Sequence, residues 1–200
     1  MKRLCCIVLL CCLLLTACTA YEHQTPAPTP STTTSTTAVK NWSVLREGKF
    51  PPLHLNFSSG VGAWMTSLDI REDGSFSGLY NDSDMGDRGE NYPDGTRYTC
   101  SFTGRFEITS VTANTATLKM TDLTYAEEKD TVTYADNVRY IATDAYGLAG
   151  HSEFVLYLPN TPTADLPKET SRWQQNNVGA ETIDCFALYC PASGDTFFGG

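Results

Sequence analysis

From residue 63 to residue 158 apolar and polar side chains tend to alternate with a period of two, and Gly, Asp and Asn interrupt the alternation at short intervals. That period places every second side chain on one face, as a half-buried strand requires. Residues 63–71 put Trp64, Thr66, Leu68 and Ile70 on one face and Met65, Ser67, Asp69 and Arg71 on the other. Glu72-Asp73-Gly74-Ser75 then turns the chain, and Phe76, Gly78 and Tyr80 continue on one face of the returning strand. Residues 97–106 repeat the pattern with Tyr98, Cys100, Phe102, Gly104 and Phe106. Further strands are predicted over 115–125, 131–135, 138–143, 153–158 and 183–189, with Asp136-Asn137 as a turn. Only 165–175, with Pro167 near its start, suits a short helix. Short strands and short links predict an all-β domain over 41–200. Its expected form is an antiparallel up-and-down β-barrel, with a β-sandwich as the alternative.

The first 40 residues have a different character. Met1-Lys2-Arg3 is cationic, and Leu4 to Leu15 is a 12-residue run of Leu, Cys, Ile and Val. About 20 apolar residues are needed to cross a bilayer, so the run reads as a signal-peptide core within a removable leader, 1–17. Residues 19–40 contain eight Thr and three Pro and almost nothing that could build a core. Such a segment is expected to form a disordered stalk between residue 18 and the domain. The chain carries a net charge of −9, and loss of Lys2 and Arg3 with the leader makes it more acidic still. Phosphate would be repelled, so a nucleic-acid partner is not expected.

The sequence Leu15-Thr16-Ala17-Cys18 resembles the lipobox of bacterial lipoproteins. The resemblance implies acylation of the Cys18 thiol after cleavage, and anchoring to the outer face of the cell membrane by lipid such as palmitate. Gly62-Ala63-Trp64 is similar to the Gly-x-Trp opening of lipocalin and other calycin-like barrels. A longer series also resembles a group of surface lipoproteins of Gram-positive gut bacteria. It comprises Gly62-Ala63-Trp64, Asp73-Gly74, Asn81 to Asp87, Tyr92-Pro93-Asp94-Gly95-Thr96 and Tyr157 to Pro162. It implies a tethered surface domain and brings no activity with it.

Candidate chemistry is sparse. Asp82, Asp84, Asp87 and Glu90 lie in the densest polar run, where alternating oxygen ligands on a loop broken by Gly86 and Gly89 suit Ca²⁺. The run departs from the EF-hand pattern, because Gly86 and Pro93 stand where that pattern needs ligands. Solvated turn-capping carboxylates are the plain alternative. Trp64, Tyr80, Tyr98 and Phe102, on inward faces, are candidates to line a ligand site at a barrel mouth. His54 and His151 fall in no recognisable catalytic motif, so an envelope hydrolase pairing them with the acids of 82–90 is a secondary expectation. Cys185 and Cys190 on one straight strand would sit on opposite faces, about 16 Å apart, and could bridge only through a bend at Pro191 or a frayed strand end. Cys100 pairing with either, or three single thiols packed as small hydrophobes, both fit. The leading expectation is a membrane-anchored binding module for a small molecule or a partner protein, with Ca²⁺ stabilisation as another possibility.

Overall fold

The structure, a computed structural model, describes residues 42–60, 62–170 and 179–200. The expected leader, Cys18 and the expected stalk lie outside the described residues, as do 171–175 of the expected helix. After a single helical turn, α1 (Ser43–Arg46), come β1 (Leu53–Ser58), β2 (Trp64–Ile70), β3 (Ser75–Asp84), β4 (Thr96–Val111) and β5 (Thr115–Tyr125). The chain continues through β6 (Val132–Ala135), β7 (Val138–Ala142), β8 (Glu153–Tyr157), a 3-10 turn at Thr163–Asp165, β9 (Phe186–Tyr189) and β10 (Thr196–Gly199).

Strands β1 to β5 and β8 to β10 follow one another round a ring, each antiparallel to the next. Leu55 opposite Gly199 and Asn56 opposite Phe198 join β1 to β10 and close the ring. The domain is thus a closed eight-stranded up-and-down barrel, and closure excludes the sandwich. Two of its strands, β1 and β10, were not expected. In β1 the alternation Leu53, Leu55, Phe57 is present but short, while β10 carries too little pattern to stand out from a chain end.

The predicted hairpin forms as read. Asp73 Oδ1 accepts the Ser75 N–H at 3.0 Å and its hydroxyl at 2.6 Å, and Gly74 takes φ of +80° between them. Phe76 lies opposite Gly104 and Phe102 opposite Gly78, so each ring covers the glycine across the ladder. In β5 the inward series runs Ala116, Leu118, Met120, then Leu123 and Tyr125. Thr121 of β5 bulges out opposite the Arg105–Phe106 step, which shifts the register there and restores Leu123 and Tyr125 to the inner face.

One expectation needs correcting. Residues 131–135 and 138–143 do form strands, but β6 and β7 do not enter the ring. They make a hairpin whose turn residues Asp136 and Asn137 both have positive φ, +50° and +65°, the geometry of a two-residue turn that follows strand twist. The 16-residue β4 outruns its neighbour: β5 covers its second half, and β7 pairs parallel to Thr96–Thr99 in its first. β6 is left outermost.

The interior is solid. Leu55, Leu68, Leu118, Leu156, Leu188, Phe76, Phe106, Phe154 and Phe197 all point into the ring and are buried. Each such side chain contributes about 1.5–3 kcal/mol on leaving water. At the end where β4 finishes, buried Leu45 of α1 joins the core and Trp42 packs edge-on against Phe186 at 4.7 Å. At the opposite end the link from β7 to β8 folds inward. Ala145 and Leu148 are buried, and Tyr146 packs against Phe57, Trp64 and Tyr80 with ring centres 4.9 to 5.8 Å apart. The Thr66 hydroxyl donates to the Tyr146 carbonyl at 2.9 Å and pins this plug.

Candidate functional site

The expected mouth residues lie near the plugged end or below it. Trp64 begins β2 and meets Phe57 edge-on at 4.8 Å, and Tyr80 faces Tyr146. Burial pushes the Tyr80 hydroxyl up to about 12, with the Asp82 carboxylate adding to it. Phe102 is buried among core rings, 6.3 Å from Phe76, and Tyr98 is half-buried on β4. These side chains pack on protein atoms. Two open hollows lie outside the ring, one beside Leu45 and Ile108 to Val111 and the other beside Leu53, His54 and Asp69.

The acidic run divides into separate tasks. Residues 81–84 are strand, with Asp82 opposite Trp64 and Tyr98. Asp82 Oδ1 accepts the Ser83 N–H at 2.7 Å, and Asp84 Oδ1 accepts those of Gly86 and Asp87 at 2.9 and 3.1 Å. Asp87 forms an ion pair with Arg139 of β7. Glu90 is exposed on the following turn. Among the described residues no three His, Cys, Asp or Glu side chains group as a metal site would require. Of the four acids expected to bind Ca²⁺, Asp82 accepts its neighbour's N–H, Asp84 caps the turn and Asp87 is ion-paired.

Arg139 is the organising residue of this region, and sequence reading passed over it. Its Nε donates to the Thr96 hydroxyl at 3.1 Å, one terminal nitrogen to the Tyr92 hydroxyl at 3.0 Å, and the other meets Asp87. The guanidinium also lies 4.3 Å from the Tyr92 ring centre. Tyr92 packs in turn on Tyr134 of β6, 5.9 Å away. The Asp94 N–H reaches the Asn137 carbonyl at 3.1 Å. The 85–95 loop and the β6–β7 hairpin are thereby locked together. The available signal was a lone Arg in an otherwise apolar strand.

The histidines stand apart from these acids. His54, on the outer face of β1, places Nδ1 2.7 Å from Asp69 Oδ1. Along β2, Asp69 is five residues from the partner of Asp82, about 16 Å. His54 borders an open groove of about 400 Å³ with Pro52, Leu53, Asp69, Arg71 and Glu72. The ring of His151 makes no hydrogen bond or ion pair among the described residues, and its N–H closes a turn on the Leu148 carbonyl at 3.2 Å. Cys100, Cys185 and Cys190 are free thiols. Burial pushes the Cys100 thiol up to about 11, helped by the carboxylates of Asp144 and Glu127, and also raises that of Cys185. A thiol so held is a poor nucleophile.

These features define a class: a side-chain-filled eight-stranded barrel, stoppered at both ends, with a hairpin standing outside the ring. Comparison of the chain with protein-family models, with curated proteins and with solved structures found no match.

Proposed function

We propose that this protein is a lipid-anchored extracytoplasmic lipoprotein whose barrel is a binding module that works through its outer surface. The observation that carries the second half is the filled interior. Ligand-carrying pockets are concave spaces of about 300 Å³ or more, and here buried Leu and Phe side chains pack within the ring while α1 and the Tyr146 plug cover the ends. Partner protein is therefore favoured over small molecule. The lipobox-like Leu15-Thr16-Ala17-Cys18 and the Thr/Pro-rich stalk support the first half, since a stalk of 22 residues spans about 25 Å as a flexible coil and would hold the domain clear of a membrane surface.

Two measurements test this reading. In a bacterial host the full chain should incorporate labelled palmitate and fractionate with membranes, and Cys18→Ser should lose both properties. A fluorescent fatty-acid analogue should show no saturable binding to the purified domain. Stoichiometric uptake quenched by Trp64 would overturn the outward-facing assignment.

A further inference from the structure

The outermost strand, β6, is bonded on one side only. It pairs with β7, and no other described strand lies beyond it. In the ladder Thr133 faces Tyr140 and Ala135 faces Val138 across the two-residue turn, so these two exchange hydrogen bonds with β7. Val132 and Tyr134 consequently turn their N–H and C=O groups outward. These two residues are 47% and 55% exposed, and all four β6 residues are exposed. Natural edges are blunted by shortness, by charged residues, by Pro or by a bulge, and β6, though only four residues long, carries no charge, Pro or bulge within it.

The flanks of the edge are acidic. Residues 127–137 hold Glu127, Glu128, Asp130 and Asp136 against Lys129, which is engaged by Asp144. Asp130 and Asp136, one at each end of β6, take part in no ion pair among the described residues. Two copies pairing antiparallel through β6 would bring Asp130 of one towards Asp136 of the other. Like charges thus oppose self-association and favour a cationic strand.

We propose that the open edge of β6 receives an extended peptide segment of a partner protein, with basic residues at both ends of a short apolar and Thr-containing middle, added to the sheet as a further strand. The Val132 and Tyr134 backbone groups supply the ladder, the exposed Val132 and Tyr134 side chains meet every second side chain of the guest, and Asp130 and Asp136 select its charge. Rigid support comes from the Arg139 network, which fixes the hairpin to the barrel. This inference rests on the outward-facing reading given above.

The test uses the mature chain and three capped peptides of alternating Val and Thr: one with Lys at both ends, one with Glu there, and one with Lys ends and a central Pro. Binding by the Lys-ended peptide should protect the Val132 and Tyr134 amides from hydrogen exchange. The Glu-ended and Pro-containing peptides should bind at least about tenfold more weakly. Val132→Pro removes an outward donor while leaving the β7 ladder intact, and should abolish binding. The double variant Asp130→Asn, Asp136→Asn keeps residues tolerant of positive φ and should erase discrimination between Lys and Glu ends without changing the thermal midpoint. Equal binding of all three peptides, protection elsewhere than β6, or a dimer in sedimentation lost on Val132→Pro would overturn the proposal. Failure of every peptide with no fatty-acid uptake removes the β6 assignment alone, whereas fatty-acid uptake removes the broader reading.

Discussion

Asp73 is a surface carboxylate whose charge is bound into the fold. Two hydrogen bonds from Ser75, with Arg105 behind them, hold its carboxyl down at about 2 against an ordinary 3.8. A carboxyl depressed in the folded state stabilises the protein above its unfolded pKa, and that contribution disappears as pH falls from about 3.8 towards about 2. Asp73→Asn keeps an acceptor oxygen and removes the titration. Its thermal midpoint should therefore fall less steeply than the wild type's across that window. Gly104 tests packing at the same scale. A Cβ there would run into the Phe76 ring and the Asp122 carbonyl, so Gly104→Ala should cost about 1–3 kcal/mol in urea unfolding through overpacking. For the thiols, alkylation of the folded protein at mildly alkaline pH should leave Cys100 and Cys190 unlabelled by peptide mass, because both are buried.

Elements here are held by a few specific side chains as much as by their own pattern. The β6–β7 hairpin buries little, so its position depends on Arg139 joining Thr96, Tyr92 and Asp87. Replacing Arg139 with Met keeps the stem and deletes the guanidinium, stranding the partly covered Asp87. A loss of about 1–3 kcal/mol is expected, with faster amide exchange concentrated in β6, β7 and the 85–95 loop. Uniform destabilisation without that local signature would contradict the role given to Arg139. The same element marks the limit of sequence reading. Both strands and the Asp136-Asn137 turn were legible, since propensity and turn chemistry are local. Their attachment to β4 in parallel was not, because it depends on β4 extending past the end of β5.

For the whole molecule, closure and filling are the decisive properties. Phe154 sits near the middle of the packed interior, 5.4 Å from Phe106, and Phe154→Ala should cost about 3–5 kcal/mol because the ring cannot collapse into the void. Equilibrium unfolding would measure it. The same substitution should begin to admit small apolar probes that the wild type refuses.

By itself the sequence determined the all-β class, the inward faces of β2 to β4 and of the first half of β5, and the two-residue turn, because alternation, glycine placement and turn residues act between near neighbours. It also carries a short apolar run at 4–15, a lipobox-like tetrapeptide ending at Cys18 and a Thr/Pro-rich stretch over 19–40, all properties of local composition. Tertiary structure alone decided that β10 would meet β1 and that Tyr146 would stopper the barrel. It alone brought Asp87 to Arg139. Each of those outcomes joins residues far apart in the chain, and a periodic pattern carries no information about which distant edge or side chain it will meet.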